Sequence, residues 1–452
     1  MINPNFKELK LILDSLSVYR NLLEDGVIKA LRTLIDSLSR DKLEIDEFVN
    51  FFNTFFFELT KSNSTKTLKD YIIDLVIFDE NPYSRLAESV EFEEIDDLLV
   101  RAVIKDLDGL NAICVLTSDI FKDYALKNIC IYEFEENIIN NLPSWEFQNK
   151  YDLKTDSESG PLEEIKETLQ RSSSWSQCIG DLSGFYRRNG SGMFARCRAF
   201  VWEPSDNVSY LRGIDSPDPV RISDFIGYEQ ERFEVINNTE KFLKGYPANN
   251  VLLYGDRGTG KSSTVKALVN EYHQLGLRMI EIPKMHLADF PKVIRLVKDR
   301  KLKFIIFIDD LAFEDSEESY TALKAILEGG LECKPDNTLI YATSNRRHLI
   351  KEKFSDRAGF RSDSQDDEIR ARDTIQEKLS LSDRFGITVV FSSPDQKRFL
   401  EIIEGLSKKR GMKIEREKLY KEALKWELWY NGRSPRTAKQ FTDWLEGNAE
   451  LF

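Results

Sequence analysis

Residues Gly255-Asp256-Arg257-Gly258-Thr259-Gly260-Lys261-Ser262 fit the spacing G-x-x-x-x-G-K-[ST], and each residue type has a chemical use there. A loop that wraps a triphosphate must bring backbone N–H groups against it. Glycines at 255, 258 and 260 leave that approach open and accept positive φ angles. The Lys261 ammonium can sit on the β- and γ-phosphates, and the Ser262 hydroxyl can ligate Mg²⁺. Ser263 opens the following helix, whose amino end adds positive partial charge where the anion would rest. The bland alternative is a glycine turn with a chance lysine. The surroundings argue against it: Val251-Leu252-Leu253-Tyr254 is an apolar run suited to a buried strand, and Ser263 to Tyr272 can continue as a helix.

A second constellation lies downstream. Lys303-Phe304-Ile305-Ile306-Phe307-Ile308 is apolar and ends in Asp309-Asp310. A buried strand seldom ends in paired carboxylates, because carboxylates are costly to desolvate. An acid placed there can hold Mg²⁺ through water or through Ser262, and Asp309 is the candidate. Hydrolysis also needs a carboxylate that orients or deprotonates the attacking water. Asp310 is the first candidate and Glu314 the second; Glu is the usual choice, and Asp is one methylene shorter. A third strand, Leu339 to Asn345, ends in Asn345, whose amide could bond the γ-phosphate or the water.

Several elements must hold these residues. Leu9, Ile12, Leu16, Tyr19 and Leu23 recur at helical spacing, as do Phe48, Phe51, Phe52, Phe55, Phe56 and Leu59. The aromatic stripe is either one face of a buried helix or a docking face for a partner. Helices are also expected near 71–78, 91–107 and 118–126, which makes 1–142 a mainly α-helical domain. Residues 143–217 read as a connecting region, with a polar linker at 154–161. Within it, aromatic runs flank Asn189-Gly190-Ser191-Gly192, and a hairpin is expected over Phe185 to Trp202. Its interleaved arginines suit either nucleic acid or ion pairs between domains. An α/β core follows over 218–393, with further strands at 278–282 and 386–391 and a charged stretch at 355–378. The last segment, 394–452, is helical.

The bulk composition excludes some classes. Residues 1–142 hold 15 Lys and Arg against 27 Asp and Glu, nearly all of the chain's net −13, so this region is not built to grip phosphate backbones. Five widely spaced cysteines without a C-x-x-C pair suit free thiols in a reducing cytoplasm. No stretch approaches the roughly 18 apolar residues of a membrane span. The three histidines show no metal-ligand spacing.

The order of motifs over Asp218 to Phe452 resembles the AAA+ P-loop ATPases. Within them the chain looks most like a bacterial group known as domain-of-unknown-function family 815. The resemblance is carried by PANNVLLYGDRGTGKSSTVKAL, FIIFIDDLAFE, LIYATSNRRHL, LSLSDRFG and GRSPRTAKQF, and FDENPYSRLAE resembles that family's amino-terminal part. It implies a parallel-sheet core with a carboxy-terminal helical lid, and ATP with Mg²⁺ as ligands. Gly255 to Ser262 matches the Walker A loop, and Asp309 the Walker B aspartate. Asp310 stands where the family's catalytic glutamate is usual. Asn345 matches the sensor-1 residue, and Arg436 the sensor-2 arginine of the lid. Arg384 matches an arginine finger acting on a neighbouring subunit's ATP, which implies a homo-oligomer. Ile226 and Gly227 lie where adenine is usually cradled. Arg384 could instead be an ion-pair residue and Arg436 a lid surface residue.

The segment Pro283 to Phe290 lacks the aromatic-apolar-glycine loop of protein-threading members. The expected function is therefore Mg-ATP hydrolysis that drives an oligomer acting on a macromolecular partner, with the amino-terminal domain as the docking site for a protein. A slow or non-hydrolysing ATP-gated switch and a nucleic-acid remodeller are the alternatives.

Overall fold

The computed structural model describes residues 5–40, 43–62, 67–130, 132–146, 160–204, 210–311, 327, 335–345, 384–430 and 432–448. Glu314, the 355–378 stretch and most of the expected linker at 154–161 lie outside them. The chain divides into two compact units, Met1–Arg196 and Cys197–Phe452. The division falls between the expected boundaries at 142 and 217, with the described apolar residues of the intervening segment up to Tyr186 joining the core of the first unit. Ile165, Leu169, Trp175, Leu182, Phe185 and Tyr186 belong to the apolar cluster of the first unit.

The first unit is helical. The aromatic stripe lies on the helix Ile45–Ser62, where Phe48, Phe52, Phe55 and Leu59 are fully buried. Trp145 closes over it, with ring centroids 5.0 Å from Phe52 and 5.0 Å from Phe55. The stripe is thus core rather than a docking face. Helix ends follow sequence chemistry: Thr67 and Asp70 form a capping box at the start of Leu68–Phe78. Asn81 caps the helix at Pro82–Ala87, with proline in its first turn.

The expected hairpin at Phe185 to Trp202 does not form. Phe185 to Asn189 ends the helix Ile179–Asn189, and Gly190 (φ 80°) terminates it. Leu182, Phe185, Tyr186 and Asn189 are buried together at helical spacing, which outweighs the short alternation that suggested a strand.

The second unit is built on a seven-stranded sheet in the order β2-β1-β4-β5-β6-β3-β7. Its strands are β1 (Ala199–Glu203), β2 (Tyr210–Ile214), β3 (Val251–Gly255), β4 (Leu277–Glu281), β5 (Lys303–Ile308), β6 (Thr338–Ser344) and β7 (Ile387–Phe391). Only β2 runs antiparallel, on the outer edge against β1. The remaining pairs are parallel and β3 to β6 are largely buried, as expected for strands covered on both faces. The loop helix, Lys261–Tyr272, contributes Val265, Leu268 and Val269 to one buried apolar cluster with Leu253, Met279, Ile305 and Phe307. Three lid helices follow: Gln396–Lys409, Arg416–Trp429 and Pro435–Gly447. The expected α/β core with a helical lid is therefore what folds. Among the described residues no helix is long and apolar enough to cross a membrane.

Candidate functional site

The glycine-rich loop joins β3 to the loop helix at the carboxyl edge of the parallel strands, the edge at which open α/β sheets bind ligands. One glycine is demanded by space and a second by its backbone angle under a close neighbour. Gly255 has φ 139°, and a Cβ there would lie 2.0 Å from the carbonyl oxygen of Phe391 on β7. Gly258 has φ 76°, and a Cβ would meet Arg436 and Ser434 at 3.1 Å. The start of the third lid helix therefore sits directly on the loop. The Arg436 N–H donates to the Gly258 carbonyl at 3.1 Å, Ser434 caps the helix through the Thr437 N–H at 3.0 Å, and Pro435 occupies its first turn.

Lys261 turns its ammonium back into the loop. Nζ donates to the carbonyls of Gly255 at 2.9 Å and Asp256 at 2.7 Å, and to Oδ1 of Asn345 at 3.1 Å. Burial pulls its pKa below the ordinary lysine value; Asp256, Asp310 and Asp309 oppose this, and the nearby Arg436 adds to it. A buried ammonium with an exposed guanidinium near enough to be felt is an arrangement that favours an anion. Asp256 accepts from the Ser393 N–H at 2.8 Å, and Ser393 holds its carboxyl below the usual range. Thr259 is buried, with its hydroxyl on the Asp256 carbonyl at 2.8 Å. Arg257 is exposed.

Ser262 Oγ donates to Asp309 Oδ1 at 2.6 Å, which joins the loop helix to the end of β5. The same oxygen accepts from Thr343 Oγ1 of β6 at 2.6 Å. Thr343, which sequence reasoning missed, so fixes the Asp309 carboxylate from a neighbouring strand. A serine hydroxyl and a carboxylate in contact form a hard-oxygen pair of the kind Mg²⁺ takes when phosphates and water complete its shell, so the residues present fit that ion.

Asp310 is exposed and has φ 50°, an uncommon left-handed conformation for a non-glycine residue. Its N–H donates to Thr343 Oγ1 at 3.0 Å, and its carboxylate accepts from Asn345 Nδ2 at 2.5 Å. Asn345 therefore lies between Lys261 and Asp310 at the mouth of the loop.

Ile226 and Gly227 lie against the first lid helix. A Cβ at Gly405 would fall 2.6 Å from Ile226, and one at Gly227 would fall 3.2 Å from Ile402. The next residue, Tyr228, is a second positive-φ non-glycine (61°). It stacks on Phe391 with centroids 5.5 Å apart and donates to the Ser392 carbonyl at 2.6 Å. The guanidinium of Arg398 covers the other side at 4.0 Å and pairs with Glu231 at 3.1 Å. This fastening of lid to core had no signal in the sequence, since its members are about 170 positions apart.

Arg384 is not brought to this chain's loop. It precedes β7, whose first residue Ile387 pairs with Val251 at the amino end of β3. It therefore lies beyond the opposite edge of the sheet from Gly255, which the strand length alone, about 13 Å at 3.3 Å per residue, separates from Ile387.

Glu281, which drew no attention in the sequence, ends β4 beside this site. It is half-buried, and burial pushes its carboxyl above the usual range; Lys266 on the loop helix lowers it and Asp309 raises it.

The large subunit of replication factor C from Staphylothermus marinus is 38% identical over 73 residues, 16% of this chain and 16% of that protein. The match therefore spans well under two thirds of that relative's length. The Thermotoga maritima RuvB Holliday junction branch migration motor aligns at 17% identity over 52% of this chain and 66% of its own, with a TM-score of 0.35. A second structure of that protein, a variant form, aligns at 16% identity over the same shares, with a TM-score of 0.35. The family described as "Protein of unknown function (DUF815)" matches residues 195–449, more than half of the chain, and the chain belongs to that family, one related to the AAA+ P-loop ATPases.

Proposed function

We propose that this protein binds Mg-ATP at the loop 255–263 and hydrolyses it to move the lid against the core. The contact that carries this reading is Ser262 Oγ on Asp309 Oδ1 at 2.6 Å, beside a lysine ammonium held inside the loop by carbonyls and Asn345. Loop amides and Lys261 bind the phosphates, Ser262 and Asp309 hold Mg²⁺, and the ion offsets phosphate charge when bound. Asn345 orients the γ-phosphate or the attacking water. Arg436 links lid position to phosphate occupancy, because its own backbone is bonded to Gly258. Ile226 and Gly227, packed on the first lid helix, take the base.

The distance of Arg384 from its own loop supports a role at the site of a neighbouring copy, and hence a homo-oligomer. The acidic helical unit, whose charge disfavours nucleic acid, would dock a protein partner. The Phe185–Trp202 hairpin, one of the features that favoured a nucleic-acid remodeller, does not form. A slow ATP-gated switch is the second reading, favoured by an Asp310 that is exposed and tied to Asn345.

The test is ATP turnover against protein concentration for wild type, Lys261→Ala and Arg384→Ala. Hydrolysis in an oligomer requires specific activity that rises with concentration, is lost in Arg384→Ala while ATP still binds, and is absent in Lys261→Ala. Wild-type turnover no faster than that of Lys261→Ala refutes hydrolysis and leaves the switch.

A further inference from the structure

Hydrolysis needs a carboxylate that reaches the attacking water directly or through one water. The acid adjacent to Asp309 in sequence serves this poorly. Asp310 is exposed, short by one methylene, and its carboxylate is already engaged by the Asn345 amide at 2.5 Å.

The sheet supplies another carboxylate at the same edge. Strands β4 and β5 are parallel, with Glu281 opposite Phe307. The Ile282 N–H donates to the Phe307 carbonyl at 2.9 Å, which fixes the register at the point where the strands end. Leu277 and Met279 of β4 and Ile305 and Phe307 of β5 pack with Val265 and Leu268 of the loop helix. Side chains alternate with period two along a strand, so Glu281 and Asp309 share the face that these residues share. The Ser262–Asp309 bond independently puts Asp309 on the loop-helix side. With strands about 4.8 Å apart and residues about 3.3 Å apart along them, the Glu281 and Asp309 Cα atoms are about 8 Å apart. That spacing lets the longer glutamate side chain bracket a water between itself and the Asp309 end of the site. A half-buried carboxylate on an apolar sheet face, with Lys266 and Asp309 as the charges acting on it, is also costly to keep.

We propose that Glu281, at the carboxyl end of β4, takes the proton of the water that attacks the γ-phosphate, an inference that rests on the ATP-hydrolysis reading above. In that step the water oxygen bonds to the γ-phosphorus, and the bond from phosphorus to the β,γ-bridging oxygen breaks. The bridging oxygen keeps the electron pair and leaves with ADP. The water proton passes to the Glu281 carboxylate and from there to solvent or product phosphate. Asp310 keeps a positioning role through Asn345.

The experiment compares full-length wild type, Glu281→Gln and Glu281→Asp in steady-state turnover, in Mg-ATP affinity, and in the identity of the nucleotide recovered with the protein after prolonged incubation. Loss of a general base costs about 100-fold or more in kcat. For Glu281→Gln the expectation is that loss, an affinity within about threefold of wild type, and bound nucleotide recovered as ATP rather than ADP. Glu281→Asp keeps the charge and is expected to retain part of the rate; it also serves should Glu281→Gln fail to fold. Turnover of Glu281→Gln or Glu281→Asp indistinguishable from wild type overturns the assignment and leaves hydrolysis standing. So does a fall in kcat matched by an equal loss of ATP affinity. A wild type that turns over no faster than Lys261→Ala overturns both.

Discussion

Two alanine substitutions in the same loop are expected to differ sharply in cost, for a reason that is purely geometric. Gly255 and Gly260 both have positive φ, 139° and 94°. A methyl at Gly260 meets nothing within 4 Å, whereas a methyl at Gly255 would lie 2.0 Å from the Phe391 carbonyl oxygen and 3.0 Å from the Phe391 N. Backbone strain alone costs about 1–2 kcal/mol, which sets the expectation for Gly260→Ala. Gly255→Ala adds overpacking against main chain that cannot rotate away, about 1–3 kcal/mol more. The relief must come from β7, because the Asp256 N–H is bonded to that same Phe391 carbonyl at 3.0 Å. Amide hydrogen exchange read over 251–256 and 387–391 reports the opening free energy of this sheet edge directly. Gly255→Ala should lose protection in both segments, by at least tenfold more than Gly260→Ala. Gly260→Ala should instead weaken ATP binding out of proportion to its small effect on exchange. Equal loss of protection in the two variants would refute the reasoning.

Three further outcomes follow from the site. Ser262→Ala removes the 2.6 Å bond to Asp309 and one candidate Mg²⁺ ligand. Nucleotide affinity in Mg²⁺ should fall about tenfold, with little change in EDTA, as read by a fluorescent ATP analogue. Arg398→Ala removes a cation–π contact at 4.0 Å and a partly exposed ion pair, together about 1 kcal/mol; faster exchange confined to Tyr228 and the first lid helix would register it. Glu281 has a pH signature. Burial raises its carboxyl above the ordinary 4.5, so between 4.5 and the folded value the native protein holds more protons than the unfolded chain. Stability then falls as pH rises through that window, and Glu281→Gln should be more stable than nucleotide-free wild type at pH 7 and equal to it near pH 4, in urea titrations.

How far the sequence could be read depended on the range of the cause. The loop, β3 and β5 were legible because their signals are contiguous: an apolar run, then glycines with Lys261-Ser262, or an apolar run ending at Asp309. The stripe at Phe48 to Leu59 was legible as a helix because its period extends over several turns. Phe185 to Trp202 misled because a short aromatic run fits either period, and Asn189-Gly190 serves a helix end as readily as a turn. Thr343 and Glu281 acquire meaning only from sheet register, which sets them beside Asp309. Arg398 acquires it from a lid that returns to Tyr228. No local pattern announces such contacts.

The seating of Lys261 has a kinetic consequence. An ammonium has three hydrogens, and the chain itself accepts all three, at Gly255, Asp256 and Asn345. Arrival of a nucleotide at this loop is then a substitution rather than a capture: phosphate oxygens replace internal acceptors, bond for bond. Each replacement trades a neutral acceptor for an anionic one, which the ammonium favours. Where release of these acceptors limits proposed nucleotide binding, the association rate is expected to respond to temperature more than to solvent viscosity. By the same token, Lys261→Ala takes a donor from the Gly255 carbonyl and leaves the Asp256 carbonyl to Thr259, so that variant loses the loop's internal brace along with its charge.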